Sequence, residues 1–173
     1  MYALCDLDNV PIYVGQSRDG IRQRVQRHIT SARSDVIANR QVDVWEIGWI
    51  KCWVDTNPTH LTPLENYLYS QFHPVSPLMN GTTPPQSPDT LGFIVPVSVT
   101  VQILPDIEIE IRRRVQMRLP RQAAHFASLL DHYLTVKDSA ELLLALRAHF
   151  ARLRKYFDNL RPDPHASSDP EQT

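Results

Sequence analysis

Apolar positions follow two rhythms along this chain, and they change abruptly after residue 73. Residues 2–7 (Tyr-Ala-Leu-Cys-Asp-Leu) and 11–15 (Pro-Ile-Tyr-Val-Gly) are short apolar runs separated by the turn formers Asp8-Asn9, which predicts a β-hairpin. From Gly20 to Ser31 the apolar residues Ile21, Val25 and Ile29 recur every fourth position among arginines, a narrow helical stripe. Residues 42–54 are β-branched and aromatic almost throughout, as suits a strand covered on both faces. A helix over roughly 60–72 is predicted by Leu61, Leu64, Leu68 and Phe72. Thr62 is its candidate N-cap, Pro63 sits in its first turn and Glu65 completes a capping box.

Seven of the chain's fourteen prolines then fall within residues 74–105, together with Gly81 and Gly92. That composition predicts a linker or wrapping segment, with Gly92–Val95 and Val97–Leu104 as candidate edge strands. Beyond Asp106 the pattern is helical: one helix over about 106–119 ending at Pro120, a second over 121–134, and a third capped by Asp138 or Ser139 and running through Leu142, Leu146, Phe150, Leu153 and Phe157. Residues 161–173 are polar and broken by proline, as a disordered tail would be. The fold class expected is α/β, a small antiparallel or mixed sheet flanked by helices and followed by a C-terminal helical extension. Its divisions are a module at 1–82, a linker or edge strand at 83–105, helices at 106–160 and a tail at 161–173.

Composition narrows the function classes. At 173 residues, 42% of them hydrophobic and 21% charged, the chain can bury one good core. No apolar run approaches the length of a membrane span, and no signal peptide is visible at the N-terminus, so the expected location is the cytoplasm. Delivery as a toxin without a signal peptide is compatible with the same features. Cys5 and Cys52 lack metal-ligand spacing and read as reduced core residues. The net charge of −1 is low for a nucleic-acid enzyme, but Arg18, Arg22, Arg24, Arg27 and Arg33 face Asp19 alone over residues 18–33. A local cationic patch can exist on a neutral protein.

Several residues have both a chemical and a structural reading. Tyr2 and Tyr13 are strand residues, where tyrosine usually packs, yet a hairpin brings their phenols together on one sheet. Gly15 closes the second strand without a side chain and permits close approach of a ligand, and the loop after it is suited to receive a phosphate. Arg24 and His28 lie one helical turn apart: either a solvated basic face, or a guanidinium gripping phosphate beside an imidazole that titrates near neutrality. Arg22 and Arg27 read as exposed, supplementary phosphate contacts. Glu65 is either the capping-box acid or a lone carboxylate ligand for Mg²⁺, a hard ion that keeps several of its waters. Asn80, before Gly81, is by default a turn residue. His60, His73 and the series Trp45, Trp49, Trp53 read as structural.

Taken together, these residues resemble the GIY-YIG nuclease family. That pattern has two tyrosine motifs on a hairpin, an arginine and often a histidine on the first helix, a glutamate on a later helix and an asparagine after it. The chain offers Met1-Tyr2, then Ile12-Tyr13-Val14-Gly15-Gln16-Ser17, Arg24-Val-Gln-Arg-His28, Leu64-Glu65-Asn66-Tyr67-Leu68 and Leu78-Met79-Asn80-Gly81, in the family's order and spacing. The first motif lacks its glycine and isoleucine, Gln16 stands where some relatives have lysine, and the Tyr13–Arg24 loop is about one residue longer than in several members, which makes Arg22 the fallback for Arg24.

The resemblance implies a divalent-metal-dependent endonuclease that hydrolyses phosphodiester bonds, in DNA rather than RNA, with Mg²⁺ or Mn²⁺ held by Glu65. It implies a tyrosine as general base, with Tyr2 in that role and Tyr13 orienting water or phosphate, while His28 is base, relay or phosphate donor. Asn80 would brace the site, and Gly15, Arg22 and Arg27 would meet substrate phosphate. The competing reading is a non-catalytic nucleic-acid-binding or assembly module that keeps the fold. A third places function in 106–160 as a homodimer or partner-binding unit, where ten Lys/Arg face seven Asp/Glu; there the arginines of 112–114 and 152–154 read as solvated faces.

Overall fold

A computed structural model of the chain describes residues 1–17, 20–23, 25, 40–54, 57–85, 91–158 and 160. It is a mixed α/β fold around a four-stranded antiparallel sheet of order β2-β1-β3-β4. The strands are β1 (Tyr2–Cys5), β2 (Pro11–Gly15), β3 (Trp49–Trp53) and β4 (Ser98–Gln102). The longer helices are α1 (Leu61–Phe72), α2 (Asp106–Arg113), α3 (Val115–Thr135) and α4 (Ala140–Asp158). Residues 21–23 and 25 are helical as well.

The hairpin forms as the sequence suggests, and its turn shows why. One oxygen of Asp6, Oδ1, accepts the amides of Asp8 and Val10 at 2.9 Å each. Asn9 takes a left-handed φ of 59°, a conformation asparagine tolerates better than most residues. The resulting register sets Tyr2 opposite Gly15 and Leu4 opposite Tyr13. Alternation then sends Met1, Ala3, Cys5 and Val14 to one face, where Leu61, Leu64, Leu68 and Tyr69 of α1 cover them. Tyr2, Leu4, Ile12 and Ile50 go to the other, packed with Val25, Met79 and Ala148. Every residue of β1 is therefore buried.

Four details differ from the sequence reading. The 42–54 run is not one strand: Asp43 caps a 3₁₀ turn at Val44–Glu46, and β3 begins only at Trp49. Between them, a Cβ on Gly48 would lie 3.2 Å from the Asp6 carbonyl oxygen, a crowded crossing at which the chain changes course. Residues 92–95 form no strand; Phe93 and Val95 pack instead against the core, and Phe93 stacks on His60 at 4.1 Å. The break expected at Pro120 falls at Arg114, whose ψ of 131° is extended. Pro120 lies inside α3. A proline within a helix costs roughly 3 kcal/mol, and the burial of Arg118 and Gln122 on either side holds the helix through it. Thr62 does not cap α1, which starts at Leu61 after a 3₁₀ turn capped by Asn57.

The helices beyond Asp106 are tied to the sheet by ion pairs. Asp6 Oδ2 accepts from the Arg152 guanidinium, from Arg118 at 3.3 Å and from the Tyr156 hydroxyl at 3.3 Å. Arg118 also reaches Glu46 at 2.9 Å and pairs with Asp8. Arg152, read from sequence as solvated, is buried because its partner Asp6 lies beneath the hairpin turn. Among the described residues no helix is long and apolar enough to cross a membrane.

Candidate active site

The open end of the hairpin gathers three of the sequence candidates. The Tyr2 and Tyr13 rings lie 6.3 Å apart at an interplanar angle of 34°. Both project from one face of the sheet, above Gly15. A Cβ built on Gly15 would stand 2.5 Å from Tyr2 Oη and 2.9 Å from Tyr13 Cε1. No side chain fits there, so the glycine is what allows both phenols to occupy this end of the sheet.

Asn80 is not simply a turn residue. Its Nδ2 donates to the Val14 carbonyl at 2.7 Å, and its Oδ1 accepts the Val14 amide at 3.1 Å. The Met79 amide adds a bond to the Ile12 carbonyl at 2.7 Å. A primary amide presents one donor and one acceptor side by side, so it can imitate a neighbouring strand over one residue. Asn80 thereby fixes the backbone between Tyr13 and Gly15. Gly81 follows in a confined place, since a Cβ there would lie 2.8 Å from the Gln41 amide nitrogen and 2.8 Å from Glu141 Cβ.

Glu65 sits on α1, the helix that covers the opposite face from the phenols, half-buried beside Leu64 and one turn from Leu61 and Leu68. The capping-box alternative falls away because Thr62 lies within the helix. No described residue hydrogen-bonds the Glu65 carboxylate. Burial raises its pKa above the usual glutamate value, and the Met1 ammonium group opposes that shift. The ammonium itself donates to the Trp53 carbonyl at 2.9 Å. A half-buried carboxylate near the Met1 ammonium can offer an oxygen to a hard divalent cation. Among the described residues no group of three or more His, Cys, Asp or Glu is arranged to hold a metal.

Arg22 is exposed on the helical segment. Arg24, Arg27 and His28 lie outside the described residues. One residue was missed from sequence: Gln16, directly after Tyr13-Val14-Gly15, has its Oε1 buried with no hydrogen-bond partner among the described residues. Its position next to the glycine was the available signal, but nothing in composition marks a glutamine acceptor as unsatisfied. Cys5 contributes no chemistry here, as burial pushes its thiol up to about 12.

No protein-family model matches the chain, and no curated protein or solved structure matches it.

Proposed function

We propose that the protein is a divalent-metal-dependent endonuclease of the GIY-YIG type, cleaving phosphodiester bonds at the open end of the hairpin. The observation that carries the reading is the packing of Tyr2 and Tyr13 over Gly15, with Asn80 gripping the backbone between them.

Hydrolysis needs an activated water, neutralised phosphoryl oxygens and a protonated leaving alkoxide. The resemblance assigns Glu65 a single Mg²⁺ or Mn²⁺, which would supply Lewis-acid charge neutralisation when bound, although its helix covers the sheet face opposite the phenols. The resemblance assigns Tyr2, whose side chain is buried in this structure, to accept the proton of the attacking water. A phenol of ordinary pKa, about 10, does this only where nearby positive charge favours its phenolate, and Arg24 is the side chain assigned to provide that charge. Tyr13 orients the water or the phosphate. Arg22 and Arg27 contact flanking phosphates, and the bare Gly15 backbone lets one approach. His28 takes part as a proton carrier or phosphate donor. Asn80 acts through Val14, holding the two tyrosines in register. DNA is the preferred substrate by family analogy.

Incubation of purified protein with supercoiled plasmid tests this, in Mg²⁺, in Mn²⁺ and in chelator. Metal-dependent nicking that disappears in Tyr2→Phe and Glu65→Ala supports the reading. Binding of DNA without cleavage in either metal would instead identify a non-catalytic module that has kept the fold.

A further inference from the structure

A group of side chains outside the tyrosine site clamps the segment 40–43 to α3 and α4, and two of its members are histidines. His149 of α4 is buried, and its Nε2 lies 2.8 Å from the Gln41 carbonyl oxygen. His125 of α3 places its Nε2 3.0 Å from the Arg40 carbonyl oxygen. A carbonyl only accepts, so both rings carry their proton on Nε2 and leave Nδ1 as a bare lone pair. The Nδ1 of His149 is buried with no partner among the described residues. That of His125 stands 3.9 Å from Asp43 Oδ2, too far for a hydrogen bond.

The charged groups around the pair come from all three elements. Asp43 on the segment is held by a two-pronged contact from Arg121 of α3 at 2.9 Å. Arg40 on the segment bonds the Ser128 carbonyl of α3 at 2.8 Å. Arg152 of α4 adds positive charge beside His149. The two imidazoles are 4.8 Å apart, so a proton on one opposes a proton on the other. Among the described residues Asp43 is the acid that favours protonation, and Arg121 already engages both of its oxygens.

The segment also touches the candidate site. The Gln41 side-chain amide packs against Gly81, and the adjacent Asn80 is the residue that holds Val14. Ala148, next to His149, packs in the cluster that contains Tyr2 and Met79.

We propose that His125 and His149 form an acid-released latch on residues 40–43, and that opening the latch frees Asn80 from Val14. In the closed state His149 has no place for a second proton, because its Nδ1–H would be buried without an acceptor among the described residues, and His125, 4.8 Å away, is held neutral chiefly by burial. Burial accordingly lowers both pKa values, that of His149 to about 3 against an ordinary 6.5. The sign follows: an opened histidine takes up a proton below about 6.5 while the closed one does not, so acid favours the open form increasingly down to about pH 3. Neutral pH keeps the latch shut.

Hydrogen exchange of the full chain between pH 7 and 4, corrected for intrinsic amide rates, tests the proposal without reference to cleavage. The Val14 amide, donated to Asn80, should lose protection about tenfold per pH unit below 6.5 for one proton taken up, and up to about a hundredfold for two. Amides of β1, bonded between β2 and β3, should keep theirs. His149→Gln, which can still donate to Gln41, should flatten the Val14 response. Should that variant fail to fold, the ¹⁵N shifts of His149 in the unmodified protein decide: a ring neutral down to pH 4 at closed sites is expected. Protection at Val14 that is level across the range, an unchanged slope in His149→Gln, or His149 titrating near 6.5 with Val14 still protected would each overturn the proposal. So would a loss shared equally by the β1 amides, which signifies general unfolding.

Discussion

At its turn, the β1–β2 hairpin carries Asp6 and Asp8, surrounded by Arg118, Arg152, Glu46 and Tyr156. At its open end it carries two phenols and a glycine. Both ends bury polar side chains, but they treat them differently. Around the turn, both oxygens of Asp6 are engaged. Oδ1 builds the turn, and Oδ2 receives two guanidinium groups and a hydroxyl. Burial raises the Glu46 pKa, and Arg118 pulls against that shift. Burial likewise opposes the charge on Arg118 and Arg152, but their anionic neighbours more than restore it and keep both guanidinium groups firmly protonated. At the open end, Gln16 Oε1 is buried with no partner among the described residues, as is Asn9 Oδ1 at the turn. A satisfied polar cluster stabilises and orients elements.

That contrast can be broken by substitution, and the largest effect belongs to the turn. Arg152→Leu takes one of the two buried guanidinium groups from Asp6 and Tyr156, leaving them Arg118 alone, and should cost about 3–5 kcal/mol, read from urea unfolding. Gly15→Ala comes next: the new methyl meets both phenols, and a loss of about 1–3 kcal/mol with disordered tyrosine resonances is expected. Asn80→Ala removes both bonds to Val14 and should cost about 1–2 kcal/mol. Its cleavage should fall further than its stability, because Tyr13 and Gly15 lose register. Glu65→Gln should be the mildest for the fold. A carboxylate whose pKa is raised on folding disfavours the native state once ionised, so the variant should match or slightly exceed the wild type at pH 7, with the difference vanishing as acid neutralises Glu65. Metal affinity should weaken over the same descent in pH.

The sequence disclosed the hairpin, α1, α4 and the meeting of Tyr2 with Tyr13, because alternation and helical spacing act locally. It did not disclose β3's late start or the continuity of α3 through Pro120, since both are decided by Glu46, Asp43 and Arg118 finding partners far along the chain. Arginines 112–114 and 152–154 looked alike as a charged face. Only the fold separates Arg152, pressed onto Asp6, from exposed Arg154. For the candidate site, Asn80 was legible as a residue but its bond to Val14 was not, as it joins positions 66 residues apart. The capping reading of Glu65 fell because α1 begins at Leu61 and is capped by His60, two residues before Thr62, a shift that helix propensity does not resolve.

The most direct test compares wild type and Glu65→Gln for single-turnover cleavage of an end-labelled DNA duplex in Mg²⁺, at matched unfolding midpoints. The account predicts cleavage by the wild type and a loss of at least about a hundredfold in the variant, the scale expected when a metal ligand is removed. Equal rates from the two proteins, or no cleavage by the wild type with any divalent ion, would contradict it.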